Sequence, residues 1–517
     1  MNRTQRYAFI GIILLAVALR FVELHGVPYG VNQDEADRGF EAYSLLKTGH
    51  DQHGNRWPLT LEAFSKQRDN ASAISAYAAL PTVALLGPTL FAVRLPSAFA
   101  GTIAVIVTML LGYQLSKRWA VGLLAGFFLA VSPWHLTLSR VGHEVVWAPT
   151  LFLLGLLGWV MSFRKPYYLL LASISWAACL YAYPIAKLFI PTAVLLLISL
   201  SWRTFRTHWR WIIGAVILGG ILLVPLIKLQ LSHFTDAGRL QQILIFTNTQ
   251  GGPWWQQLLG NIGLYLNPWT WLQGHVSVGP LDVASALVGL TLFFWLVRPT
   301  IESSRPRVLF GALLLLAILP AVFMNDNPHQ LRVAFLLGPF QLAAAWGFVL
   351  AWGQLRSRWR TAVVRVALST SGVILASVGV WFFWQPGYIG GHYVSFIFTP
   401  EIEQVVHLVN TRYSNYADVR FVDFGTSQPY IFFAFFTPWN PSHFQQGHVF
   451  IQSAEDENWY RTTKLGRVTF CKRGACDGDE RRVLYIALAP YTTVGTKELE
   501  RIPWRGFPGL AWRIATN

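Results

Sequence analysis

The chain is dominated by apolar runs long enough to cross a bilayer, and little else about a sequence limits the possible folds so severely. Crossing ~30 Å of hydrocarbon takes about 20 residues of helix. Runs of this kind fall near 7–24, 95–116, 119–134, 145–163, 167–183, 185–201, 211–230, 281–297, 308–324, 332–352 and 363–384, eleven in all. Of the 517 residues, 53% are hydrophobic and 13% charged, against about a quarter charged in an average soluble chain. So few charges cannot cover so much apolar surface. A soluble enzyme, a disordered chain and a small disulfide scaffold are excluded, leaving a polytopic α-helical membrane protein.

Charge placement orients the spans. Six short basic clusters separate them: Arg3/Arg6, Lys117/Arg118, Arg164/Lys165, Arg203/Arg206/Arg210, Arg298/Arg305/Arg307 and Arg356/Arg358/Arg360/Arg365. Only Glu302 opposes these sixteen cations, so the clusters hold +15 of the net charge of +16. A nucleic-acid-binding face would gather its cations on one surface. Cations spaced between apolar runs follow the positive-inside rule, which puts all six clusters in the cytoplasm. No nucleic acid partner is expected.

One stretch disturbs the parity. Residues 71–90 are apolar enough for a twelfth span, but counting them would move Lys117/Arg118 to the wrong side. Pro81, Gly87 and Pro88 interrupt the run, so it reads as an interfacial or re-entrant helix on the outer face. The outer face then receives 25–94, 135–144, 231–280, 325–331 and the tail. Trp254, Trp255, Trp269 and Trp271 in the third of these read first as an interfacial belt. The N-terminal run also has features of a signal peptide, though a first span explains the same residues.

The domain reading is 1–384 for the membrane module and 385–517 for a small extracytoplasmic α/β domain. In the tail, 400–413 has helical spacing, while 418–424 and 482–488 read as strands. Cys471 and Cys476 lie on the oxidising side of this topology, where a disulfide is the expected state. A zinc site would need a second Cys or His pair, and none has suitable spacing. No internal repeat and no nucleotide-binding motif is present.

The chemistry-bearing residues cluster in the outer loops. Asp34 and Glu35 adjoin the first span. Acids at that spacing suit a helix start, and equally a carboxylate that takes a proton from an acceptor hydroxyl. Glu144 sits at the mouth of a later span, where isolated acids are disfavoured. Lys66, Arg68, Arg140 and Arg332 could stabilise a departing phosphate, or could be cations snorkelling to the interface. Asp51, His53, Asp326 and His329 complete the candidates. Acid pairs can hold a divalent ion, but nothing in the sequence requires one.

Several phrases in fixed order carry a resemblance: Asp34-Glu35-Ala36; Gly49-His50-Asp51-Gln52-His53-Gly54; Ala92-Val93-Arg94-Leu95-Pro96-Ser97; and Ser132-Pro133-Trp134-His135 with Ser139-Arg140. Together they resemble the bacterial protein O-mannosyltransferase and aminoarabinose-transferase superfamily, of GT-C fold (family 39 and its relatives). The likeness is good over 1–165 and looser beyond. It implies a polyprenyl-phosphate-linked sugar donor, transfer with inversion on the extracytoplasmic face of the cell membrane, and juxtamembrane helices in the first loop. It implies a catalytic base at Asp34, with Glu35 beside it, and a second-loop acid at Glu144. The Glu-Lys-Pro-Pro run of aminoarabinose transferases is replaced here by 65–70, which weakens lipid A as acceptor. Protein, glycolipid and envelope polysaccharide remain open as acceptors. The rival reading is a transporter or flippase of a lipid-linked saccharide. It would place ionisable residues within several spans and show repeated halves.

Overall fold

The computed structural model describes residues 1–62, 64, 71–232, 244–246, 252–267, 280–296, 304–325, 329–354, 398–423, 428–446, 451–452, 460–472, 476, 482–489, 496–504 and 509–517. The chain divides into two compact units. One comprises Met1–Val22, Ser97–Ser139 and Glu144–Ala376; the other comprises Glu23–Pro96, Arg140–His143 and Ser377–Asn517.

The first unit is helical. Among the described residues, the helices long and apolar enough to cross a membrane are Arg3–Phe21, Leu90–Ser116, Glu144–Ser162 and Trp209–Leu231. The pair Trp119–Val131 and Pro133–Ser139 forms a further candidate span, bent by 64°. Shorter apolar helices occupy Tyr168–Ala182, Ala186–Trp202 and Arg307–Val322. The expected span at 363–384 lies outside the described residues. The run at 332–352 is interrupted: a 3-10 turn, Gln330–Leu336, precedes a helix at Pro339–Gln354. Gly338 between them has φ +98°, and a Cβ there would collide with the Leu153 side chain. Only glycine adopts that conformation at little cost.

The bend after Val131 has a local cause. Pro133 follows Ser132 and has no N–H to continue the ladder. Arg20, fully buried, takes up the freed acceptors, donating to the carbonyls of Ala130 at 3.2 Å and Leu129 at 3.3 Å. Its Nη2 also lies 2.7 Å from His135 Nδ1. A cation inside an apolar bundle is tolerated when its donors meet backbone carbonyls in this way.

The second unit is built around a mixed six-stranded sheet. Its strands are β1 (Asp418–Asp423), β2 (Lys464–Leu465), β3 (Val468–Lys472), β4 (Val483–Ala489), β5 (Lys497–Pro503) and β6 (Ala511–Thr516). The spatial order is β5-β6-β4-β1-β3-β2, with β1 parallel to both β4 and β3. β4 is buried along its whole length, as its central position and unbroken apolar sequence require. Alternate residues Val419, Phe421, Val468, Phe470, Leu484 and Ile486 line one face. They share a core with the helices Ile402–Asn410 and Tyr430–Phe436, and with Ala36 and Phe40 of the Gln33–Thr48 helix. Cys471 and Cys476 are disulfide-bonded.

The first loop thus shares its hydrophobic core with the tail. Val31 and Asn32 pair antiparallel with Thr399 and Phe398. The Gln33–Thr48 helix meets the Tyr430–Phe436 helix at Gly39, where a Cβ would collide with the Phe435 ring and a Val93 methyl. Gly39→Ala is therefore expected to destabilise this unit by about 1–3 kcal/mol, the usual cost of overpacking, seen as a lower melting temperature of the purified protein. The stretch read as 71–90 holds a helix at Ile74–Leu86, 13 residues long. At 1.5 Å per residue it covers about 20 Å, short of the hydrocarbon thickness. It stops at Gly87, where φ is +75°.

Candidate active site

The centre of interest is the N-terminus of the Gln33–Thr48 helix. Asn32 caps it: the Asn32 side chain accepts from Asp34 N at 2.7 Å, and Glu35 accepts from Asn32 N at 3.2 Å. This reciprocal capping box closes two donors that the first turn leaves open. It also gives the two adjacent acids different jobs.

Glu35 is fully buried. Arg94 grips it in a two-point pair, Nε to Oε1 at 2.9 Å and Nη2 to Oε2 at 3.0 Å. Gly142 N donates to Oε1 at 2.7 Å. Both oxygens are occupied, and the planar fork suits a guanidinium rather than an ammonium. The rest of the Arg94 guanidinium holds the carbonyls of Leu24, His25, Pro28 and Gly30 at 2.9–3.2 Å. One ion pair therefore fixes the chain before the helix, the helix start and the 140–143 segment.

Asp34 faces outward by contrast. Its side chain is 34% exposed, and His143 Nε2 lies 3.6 Å from Oδ2. The first turn of a helix favours an anion there. The arrangement can accept a proton from a group arriving from solvent, with an imidazole beside the carboxylate.

Arg140 is fully buried and donates to Val27 O at 3.1 Å and Glu23 O at 2.9 Å. Burial, helped by the Arg94 charge, lowers its pKa to about 10, so it remains a cation at neutral pH. Asp51 is buried and accepts from His53 N, Asn55 N and Asn55 Nδ2, holding a tight loop. His53 stands 3.8 Å from Glu62. The structure thus brings Asp34, Glu35, Arg140, Asp51 and His53 into one unit. Glu144, Arg332 and His329 belong to the other unit. There Glu144 opens a 3-10 turn, Arg332 donates to Tyr183 OH at 2.8 Å, and His329 Nδ1 accepts from Leu331 N. Lys66, Arg68 and Asp326 lie outside the described residues.

Sequence reasoning did not single out Arg94 or His143 as site residues. The signal for Arg94 was a lone cation at the mouth of an apolar run, where an unpaired charge is costly. His143 carried no local signal.

A second polar group also went unforeseen. Asp37 and Glu41, one turn apart and fully buried, are joined by Gln52, whose Nε2 donates to both at 2.7 and 2.8 Å. Gln52 N donates to Glu41, and Tyr430 OH donates to Gln52 Oε1 at 3.1 Å. Arg38 pairs with Asp37. Burial raises Asp37 from 3.8 to about 6, against the pull of Arg38. Burial, then the charges of Asp37 and Asp51, push Glu41 well up.

An acid whose folded pKa is raised binds its proton more tightly when folded. The stability it contributes is full below the unfolded value and is lost as pH rises through the folded one. For Asp37 that window runs from 3.8 to about 6. Stability contributed by these acids is therefore expected to fall between pH 4 and 6, and for Glu41 to keep falling above that. Glu41→Gln keeps the size of the side chain and removes the buried charge, giving up one of the two oxygens that accept from Gln52. It is expected to raise the melting temperature at pH 7.5 by about 2–4 °C and to flatten the pH profile; an unchanged profile in a pH series of thermal melts would contradict the assignment.

Among the described residues no group of three His, Cys, Asp or Glu side chains is arranged to hold a metal ion.

No family model and no curated protein matches the sequence. Among solved structures, the fold is similar to ArnT from Cupriavidus metallidurans bound to undecaprenyl phosphate. The identity is 13% and the TM-score 0.50, over 85% of this chain and 77% of that one. It is also similar to the Archaeoglobus fulgidus oligosaccharyltransferase tethered with an acceptor peptide, at 10% identity and TM-score 0.50. That match covers 84% of this chain and 63% of the oligosaccharyltransferase, so the chain spans less than two thirds of that protein. The chain has the GT-C membrane fold that these proteins share.

Proposed function

We propose that the chain is an integral-membrane glycosyltransferase. It moves a sugar from a polyprenyl-phosphate donor to a hydroxyl of a protein, glycolipid or envelope polysaccharide. Asp34 removes the hydroxyl proton as the oxygen attacks the anomeric carbon. The bond from that carbon to the phosphate oxygen breaks on the opposite side, so configuration inverts and the polyprenyl phosphate leaves with the bonding electrons. Lys66, Arg68 and Arg140 are the candidate cations for that phosphate. His143, 3.6 Å from the Asp34 carboxylate, sets its charge environment.

The observation that carries the reading is the division of labour between the adjacent acids. Glu35 is locked by Arg94 and Gly142, while Asp34 keeps solvent access beside His143. Support for a lipid-phosphate donor comes from the fold shared with a protein solved with undecaprenyl phosphate. The eleven-span topology, with 1–384 as the membrane module and 385–517 outside, rests on the basic clusters. The Cys471–Cys476 disulfide agrees with an oxidising compartment for the tail.

The test is transfer from radiolabelled polyprenyl-phosphate sugars in membranes containing the chain. Label entering a protein, glycolipid or polysaccharide fraction supports the reading and identifies the acceptor class. Label that crosses sealed vesicles on an unchanged lipid, with no transfer, replaces it with lipid-linked saccharide transport.

A further inference from the structure

The tail sheet carries a cavity of about 430 Å³ on the face opposite its core. We propose that this cavity binds an acidic sugar, through a carboxylate or phosphate ester on the ring. It is a separate site from Asp34, and the proposal does not rest on the role given to that residue.

Strand register builds the site. Lys464 of β2 is opposite Thr469 of β3, and Thr469 is opposite Arg420 of β1. Register partners share a face, so an ammonium, a hydroxyl and a guanidinium form a row across three strands. Two strand spacings make that row about 10 Å long. Arg467, from the turn between β2 and β3, adds a third cation to the lining, and Asp418 is the one carboxylate in it among the described residues. The described lining therefore has a net charge of +2, which favours an anion.

Two of these cations are held in place by the fold. Arg420 pairs with Asp418, donates to Cys476 O at 2.9 Å and lies 6.0 Å over the Tyr485 ring. Arg467 donates to the carbonyls of Val409, Tyr413, Ser414 and Tyr416 at 2.6–3.0 Å. They act as fixed positive walls. The Lys464 ammonium and Thr469 hydroxyl have no hydrogen-bond partner among the described residues, leaving donors for a ligand. The disulfide adds an apolar edge. The volume falls in the range of small-molecule sites and is far above the needs of a bare ion, which points to a sugar carrying the charge.

The test uses the full-length protein in nanodiscs of zwitterionic lipid, with ligand-observed NMR titrations of glucuronate, glucose 6-phosphate, glucose and inorganic phosphate. Glucuronate or glucose 6-phosphate is expected to bind at least about tenfold more tightly than glucose, the difference a charge-assisted hydrogen bond supplies. Whichever of the two binds identifies the anionic group. Lys464→Gln, at an exposed position, is expected to weaken that binding about tenfold, and Thr469→Val to weaken it further. The proposal is overturned if glucose binds as well as the acidic sugars, if inorganic phosphate alone binds as tightly, if neither substitution matters, or if no probe binds.

Discussion

Asp34→Asn is expected to lower sugar transfer by about two to four orders of magnitude, the usual contribution of a positioned general base. Its melting temperature should stay close to wild type. Asparagine keeps the size of the side chain, and the cap is preserved, because Asp34 contributes its backbone N–H to Asn32. The carboxylate is partly exposed, so losing its charge leaves no buried cation stranded. The amide accepts no proton at neutral pH, and the acceptor hydroxyl then attacks without assistance. Single-turnover transfer, compared with thermal melting of the same preparation, separates the chemical loss from a folding loss.

The opposite pattern is expected at Arg94. Arg94→Ala removes one member of a fully buried ion pair and leaves the Glu35 carboxylate without its cation. Breaking such a pair from one side costs about 3–5 kcal/mol. Four backbone carbonyls between Leu24 and Gly30 lose their donor in the same change. Arg94→Lys should rescue little, because a point-like ammonium cannot serve two carboxylate oxygens and those carbonyls together. The double change Arg94→Ala with Glu35→Ala is expected to be less damaging than the sum of the single changes, since no charge is then stranded. Melting temperature and protease resistance of the 23–96 and 398–517 regions measure the effect. Equal stability of Arg94→Ala and wild type would remove the clamp from the account.

The membrane character of the chain and the sheet of the tail were legible in sequence because both rest on short-range pattern. Apolar runs and basic clusters show the first; the strand patterns at 418–424 and 482–488 show the second. The broken segment at 330–338 was less legible, because Gly338 resembles any glycine in an apolar helix until its φ is known. The distinction between Asp34 and Glu35 could not be read locally. Each suits a helix start, and what separates them is an arginine 59 residues away and a backbone N–H 107 residues away. The same holds for the shared core of first loop and tail. The Phe40 and Phe444 rings stand 4.7 Å apart across some four hundred residues of sequence, and nothing near either one announces the other. Gln52 likewise reads as a loop residue until Asp37, Glu41 and Tyr430 surround it.

The central claim is that Asp34 drives sugar transfer from a lipid-phosphate donor while Glu35 holds the structure. The most direct measurement is transfer of label from a polyprenyl-phosphate sugar by purified, folded protein in nanodiscs, with wild type and Asp34→Asn assayed side by side on the acceptor found in membranes. The account predicts transfer by wild type and a loss of at least about a hundredfold in Asp34→Asn at unchanged melting temperature. Full transfer by well-folded Asp34→Asn would contradict it.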